Sequence, residues 1–106
     1  MKYEKNQYYD IEKEKINEPT MKDFTGLYCD IHGTIYRFKS GLLHSENDKP
    51  AIESVNGDKH WYKHGVQHRE DYPAIVYADD NTEDEFYFNG MKINLKDFVD
   101  ILKQKE

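Results

Sequence analysis

The feature that most constrains this chain is a glycine that returns after 24 and then 25 residues, at Gly41, Gly65 and Gly90. An aromatic-rich run precedes each one: Tyr36-Arg37-Phe38, His60-Trp61-Tyr62 and Phe86-Tyr87-Phe88. Three residues beyond the first two glycines stand His44 and His68, each followed by a Pro-Ala pair, Pro50-Ala51 and Pro73-Ala74. Self-similarity of this period marks stacked supersecondary units, none of which can bury its apolar face alone. The best-formed copy runs from Trp61 to Tyr77.

Between the glycines the chain is written in short runs of aromatic and β-branched residues, the grammar of hairpins. Leu27-Tyr28-Cys29-Asp30-Ile31 leads into His32-Gly33, and Thr34-Ile35-Tyr36-Arg37-Phe38 leads out. Ala51-Ile52-Glu53-Ser54-Val55 leads into Asn56-Gly57, and Lys59-His60-Trp61-Tyr62 leads out. A third pair, Ala74-Ile75-Val76-Tyr77 and Glu85-Phe86-Tyr87-Phe88, is joined by an acidic loop. Gly33 to Gly41 and Gly57 to Gly65 span the same length, which implies one fixed register. After Gly90 the pattern changes. Asn94 stands at an N-cap position ahead of Leu95, Phe98, Val99 and Leu102, spaced as one face of a helix.

The expected fold is mainly β with a terminal helix (α+β): serial antiparallel hairpins forming a small repeat-like meander sheet, capped by a C-terminal α-helix. Residues 1–25 form an arm or short helix, 26–93 the hairpin region and 94–106 the capping helix, all in a single domain. The N-terminal segment stays open between a helix ended by Pro19 and a solvated arm, because its apolar stripe is incomplete. A chain of 106 residues has the length of one domain.

Composition bears on partners. A net charge of −6 with no basic run disfavours direct binding to a nucleic-acid backbone. Cys29 is the only cysteine, and no stretch resembles a signal peptide, transit peptide or membrane span. A soluble, reducing setting is expected, the cytoplasm of a bacterial host cell.

The segment Trp61-Tyr62-Lys63-His64-Gly65-Val66-Gln67-His68-Arg69-Glu70-Asp71-Tyr72-Pro73-Ala74 resembles the unit of a repeat family encoded by bacteriophages, giant viruses and some bacteria, aromatic-Tyr-x-x-Gly-x-x-His-Arg-x-x-Gly-Pro-Ala. Here Tyr72 replaces the family's glycine, and in the earlier copy Ser45 replaces the arginine. The closing Phe86-Tyr87-Phe88-Asn89-Gly90 and the short helix also look like the usual end of such proteins. The resemblance covers roughly residues 33 to 102 and implies a nonenzymatic β-hairpin scaffold of phage type.

Candidate sites follow from residue types. His60, His64 and His68 would line up for zinc on a helix, but with Gly65 turning the chain their convergence would be accidental. His68 recurs as His44, so a structural hydrogen bond at a turn is the simpler role. Asp79, Asp80, Glu83, Asp84 and Glu85 lack the glycine and distal glutamate of a calcium loop. They form either a solvated loop or an acidic edge for a basic surface. Cys29 lies in an apolar strand and reads as a core residue, and no nucleophile elbow or phosphate loop is present. No catalytic residue, metal or cofactor is therefore expected.

Residues specific to the central unit, Trp61, Arg69 and Tyr72, join the five acids as the candidate partner-binding set. These features describe a small nonenzymatic protein-binding module, of the kind a phage uses to inhibit a host nucleic-acid-binding defence protein such as a nuclease, in the manner of an anti-CRISPR. A self-associating structural module, homo-oligomeric through open sheet edges, is the alternative. A His-dependent metal-binding protein ranks third.

Overall fold

In the computed structural model, which describes residues 3–105, the recurring glycines each close a two-residue hairpin turn. The pairs Ser40-Gly41 (φ 49° and 81°), His64-Gly65 (47° and 83°) and Asn89-Gly90 (52° and 83°) are left-handed at both positions. That is the type I′ geometry, whose twist matches the strands it joins. A second, wider turn also recurs. At Asp10–Glu14, Asp30–Thr34 and Ser54–Asp58 the first residue's carbonyl accepts from the fourth N–H at 2.9, 3.0 and 2.9 Å. The fourth residue is left-handed each time, as Lys13, Gly33 and Gly57. Asp10 and Asp30 strengthen their turns by accepting backbone N–H groups two and four residues on.

These turns connect β1 (Gln7–Asp10), β2 (Lys15–Ile16), β3 (Gly26–Cys29), β4 (Ile35–Lys39), β5 (Leu42–Leu43), β6 (Ile52–Glu53) and β7 (Lys59–His60). There follow β8 (Tyr62–Lys63), β9 (Val66–Gln67), β10 (Ile75–Val76), β11 (Phe86–Phe88), β12 (Met91–Ile93) and the helix α1 (Leu95–Gln104). The main antiparallel sheet has the order β10-β7-β6-β4-β3-β1-β2, with β5 folded back on β4. Two further hairpins, β8-β9 and β11-β12, continue the stack. The expected α+β meander of consecutive hairpins with one terminal helix is the architecture observed.

Residues 3–25 depart from the arm or short helix expected of them. Gln7–Asp10 pairs along its whole length with β3, Tyr9 opposite Leu27, and turns back into Lys15–Ile16. The cause is the open edge of β3, whose unpaired backbone groups are satisfied by a strand, while the alternating charges of Glu12 to Lys15 fall in and beside an exposed turn. Tyr9 and Phe24 enter the core. The expectations for Met1, Lys2 and Glu106 lie outside the described residues.

The third hairpin is also shorter than expected. Only an isolated bridge, Ile75 to Glu85, joins its two arms. Phe86–Phe88 pairs instead with Met91–Ile93 across Asn89-Gly90, because a two-residue turn closes at far less entropic cost than the long acidic loop.

The core is a narrow spine of Leu27, Cys29, Ala51, Trp61, Ala74, Ile75 and Phe98, with Tyr9 and Phe24 at its N-terminal end. The alanines of both Pro-Ala pairs are completely buried, since Arg37 and Trp61 donate their backbone N–H to the Ala51 and Ala74 carbonyls at 2.7 and 2.8 Å, leaving room for a methyl group only. Asn94 caps α1 by accepting from the Asp97 N–H at 2.8 Å, and Phe98 packs on Phe86 with ring centroids 4.3 Å apart. Among the described residues no helix is long and apolar enough to cross a membrane.

Candidate functional site

The repeat histidines fasten one hairpin to the next. His44 Nδ1 accepts the backbone N–H of His64 at 3.0 Å, and His68 Nδ1 accepts that of Asn89 at 2.9 Å. His64 and Asn89 are the first residues of the following type I′ turns, so each unit's ring staples the next unit's turn. The turn glycines add a parallel row, Gly65 donating to the Leu43 carbonyl at 2.8 Å and Gly90 to that of Gln67 at 2.9 Å. Burial, and then the neighbouring His64 ring, hold His44 below the ordinary imidazole range.

These bonds bear directly on metal binding. A neutral ring that accepts at Nδ1 carries its proton on Nε2 and has no free lone pair for a cation. His60 Nδ1 is occupied by the Gln67 amide at 3.4 Å. Among the described residues no group of three metal-ligating side chains converges. Cys29 is buried and its thiol is pushed upward by burial first and Asp30 second, which favours the protonated, unreactive form.

Trp61, Arg69 and Tyr72 do come together, but as a clamp. Trp61 is only 6% exposed and its indole N–H donates to the Asp48 carbonyl at 3.0 Å. The Arg69 guanidinium lies 3.7 Å above the Trp61 ring and 4.8 Å from that of Tyr72. Its Nε and Nη2 grip both carboxylate oxygens of Asp48 at 3.0 and 2.9 Å, and Nη1 donates to the Pro73 carbonyl at 3.1 Å. Trp61 is therefore a core residue, contrary to its expected place at a partner contact, and Arg69 commits one N–H of each guanidinium nitrogen within the molecule. The apolar spine needed its largest ring at the point where the Ala74 backbone draws near, and the sequence pattern alone did not show which face of the strand that was. Tyr72, 59% exposed, is the accessible member. The three residues line a groove of about 470 Å³ with Asp48, Glu70 and Asp71. Lys105 reaches across from the end of α1 to Glu70 at 3.0 Å and Asp71 at 3.3 Å, and this contact, ahead of His68, lowers the Glu70 carboxyl.

The five acids divide into two groups. Glu85 sits on the sheet, bonded by the hydroxyls of Tyr77 and Tyr87 and facing Lys92 at 3.4 Å. The Tyr77 bond leads the causes that lower Glu85, and the same bond pushes Tyr77 up to about 12. Glu85 opens the returning arm, as expected, but it is a structural anchor there rather than a free member of the partner-binding set, because the Ile75 bridge and the two tyrosine hydroxyls hold it on the sheet. Asp79, Asp80, Glu83 and Asp84 are exposed. Asp79 shapes the loop by accepting from the Asn81 N–H and the Thr82 hydroxyl, and Asp84 accepts the Tyr77 N–H at 3.0 Å. Asp58, from the neighbouring turn, accepts the Ala78 N–H at 2.8 Å and extends the same acidic edge. Its membership follows from stacking of turns, which the period of the repeat could have indicated.

Sequence reasoning missed a tyrosine ladder. Tyr8, Tyr28 and Tyr36 share one row of the register across β1, β3 and β4, with ring centroids 4.4 and 6.5 Å apart. The row is half-buried. It was hidden because the β1 strand was unassigned. Neither a family model, nor a curated protein, nor a solved structure matches this chain.

Proposed function

We propose that the protein is a nonenzymatic protein-binding module that presents an acidic edge to a basic surface of its partner. The observation that carries this reading is the loop Asp79 to Asp84, in which four carboxylates stand exposed while Asp79 and Asp84 also fix the loop by backbone hydrogen bonds. A preformed array of like charge steers encounter and rejects acidic competitors. Nucleic-acid-binding proteins present basic surfaces of this kind, so the partner class is a bacterial host's nucleic-acid-binding defence protein, a nuclease in the first instance. The phage-type resemblance of Trp61 to Ala74 supports the same setting, an inhibitor acting in the host cytoplasm. The buried clamp of Trp61 and Arg69 leaves Tyr72 as an aromatic contact beside the edge.

Retention of nucleases from a bacterial lysate, with cleavage assays on the recovered protein, tests this reading. Asp80→Asn and Glu83→Gln remove charge without touching the loop's internal bonds and should abolish retention while the fold persists. Equal retention by the double variant would overturn it. A second reading, self-association, draws on β2, which has a partner on one side only. Light scattering that rises with concentration in the absence of any partner would favour it.

A further inference from the structure

We propose that the repeat histidines are proton-operated latches, and that acidification releases the C-terminal hairpin and its helix from the body of the protein through His68. The argument rests on what each ring nitrogen does. Nδ1 of His68 accepts the Asn89 N–H at 2.9 Å, and Nδ1 of His44 accepts the His64 N–H at 3.0 Å. A histidinium is a donor at both nitrogens, so a proton arriving at Nδ1 sets N–H against N–H. The bond cannot survive with the ring in place.

The surroundings give the two latches different second states. His68 Nε2 is buried and has no hydrogen-bond partner; it faces Glu70 Oε2 at 3.5 Å, beyond good hydrogen-bonding distance. Charging the ring converts that loose contact into an ion pair, and Glu70 then competes with Asn89 for the imidazole. Lys105 holds Glu70 from the helix side, and the Phe88 ring, 4.6 Å away, closes the apolar side. His44 meets the His64 ring at 4.5 Å, Glu46 at 3.9 Å, and the positive charges of Lys39 and Lys63. There burial first, and then the His64 ring, disfavour a proton, with Glu46 alone favouring it. His68 is the switch because its unpartnered Nε2 faces a carboxylate that a charged ring can turn to.

What His68 releases is a definable unit. Asn89 opens the turn of β11-β12, and Gly90 bonds the Gln67 carbonyl beside it. The remaining ties of this unit to the body include Arg69 N–H to the Tyr87 carbonyl at 3.3 Å, the Ile75 bridge and Lys105 on Glu70 and Asp71. The His68 bond is the one of these ties that holds the tip of the hairpin through a titratable acceptor, so its loss opens the unit from the turn.

Amide hydrogen exchange of the full chain, corrected for the intrinsic dependence on pH, reads the latch directly. Protection of the Asn89 amide should fall at least about tenfold between about pH 7.5 and about pH 5, while the amides paired between β3 and β4 hold steady. His68→Asn supplies a side-chain oxygen where Nδ1 stood and does not titrate; it should keep Asn89 protected at both pH values. Nitrogen-15 spectra of the unaltered protein at neutral pH should show His68 protonated on Nε2. Protection of Asn89 that is the same at both pH values, or a ring protonated on Nδ1 at neutral pH, would overturn the proposal. So would an acid-induced loss in His68→Asn as large as in the parent.

Discussion

The first and second repeat units use the same backbone bonds and different side chains to complete them. In both, the residue four before the turn glycine donates its N–H to the alanine of Pro-Ala, and the histidine three after it staples the following turn. In both, an arginine Nη1 caps the proline carbonyl, Arg37 on Pro50 at 2.9 Å and Arg69 on Pro73 at 3.1 Å. The two arginines come from different places. Arg37 precedes its turn and aligns with Trp61, whereas Arg69 follows its turn and aligns with Ser45. In the second unit the tryptophan takes the arginine's position, and a new arginine lies over the indole to reach the same carbonyl. The repeat preserves a set of satisfied backbone groups, and side chains are exchanged around that requirement.

The most severe way to break this equivalence is to spoil a turn. A side chain at Gly41 would place Cβ 2.3 Å from the Met21 carbonyl oxygen, at a φ of 81°. Gly41→Val should therefore cost more than about 3 kcal/mol and yield little folded protein by circular dichroism. At Gly65, with φ 83°, Cβ would meet only the Leu42 side chain at 3.4 Å. Gly65→Ala should remain folded, with a loss of roughly 1–2 kcal/mol in urea unfolding, which separates backbone crowding from the left-handed conformation alone.

Truncating the exchanged pair comes next. Trp61→Ala removes the ring that supports both the core and Arg69 and should cost about 3–5 kcal/mol. Arg37→Ala leaves the Pro50 carbonyl and Glu53 without their partner and should cost roughly 1–2 kcal/mol. Chemical denaturation of the two variants side by side checks the order. Equal losses would mean that the indole is only another cap.

The histidine staples sharpen the comparison at smaller cost. The His44–His64 bond is exposed, whereas that of His68 to Asn89 is partly buried. His44→Ala should cost about 1 kcal/mol, and His68→Ala more, because its orphaned N–H is less open to water. The folded protein holds His44 below its ordinary value. Its contribution is accordingly complete above about pH 6.5, the unperturbed imidazole value, and disappears as the pH falls through the folded value. Urea midpoints measured across that interval should slope downward toward acid in the parent and less steeply in His44→Ala.

How much of this was legible in the sequence follows from where the information is local. That the chain turns at Gly41, Gly65 and Gly90 was readable, because positive φ restricts the residue choice at each turn; their two-residue type was not, since Gly33 and Gly57, the stronger hairpin signals, sit in the wider turns. The helix was readable from Asn94 and the spacing of Leu95 to Leu102. β1 was not, since Gln7-Tyr8-Tyr9-Asp10 is too short to show a period and forms only because β3 offers it an edge. The Asp10 turn was obscured by Lys13, which occupies the left-handed position that glycine fills in the other two. Within the candidate site, the staple role of His68 could be read from its recurrence as His44. The burial of Trp61 and the anchoring of Glu85 could not, because each depends on a partner in a different unit, Asp48 in one case and Ile75 in the other.

Asp48 offers the finest test, because its backbone and side chain serve different members of the clamp. Its carbonyl accepts the Trp61 indole N–H, while its carboxylate takes Arg69 through two nitrogens. Asp48 also sits at a φ of 58°, a left-handed conformation that asparagine tolerates well. Asp48→Asn should therefore retain the turn and the indole bond and remove only the ion pair. The Asp48 side chain is more than half exposed, so the loss should be no more than about 0.5 kcal/mol. Added salt should narrow the gap between parent and variant, since only the parent has this pair to screen. If instead the variant loses as much as Trp61→Ala, the carboxylate is holding the indole in place through Arg69, and the clamp would have to be treated as one cooperative unit.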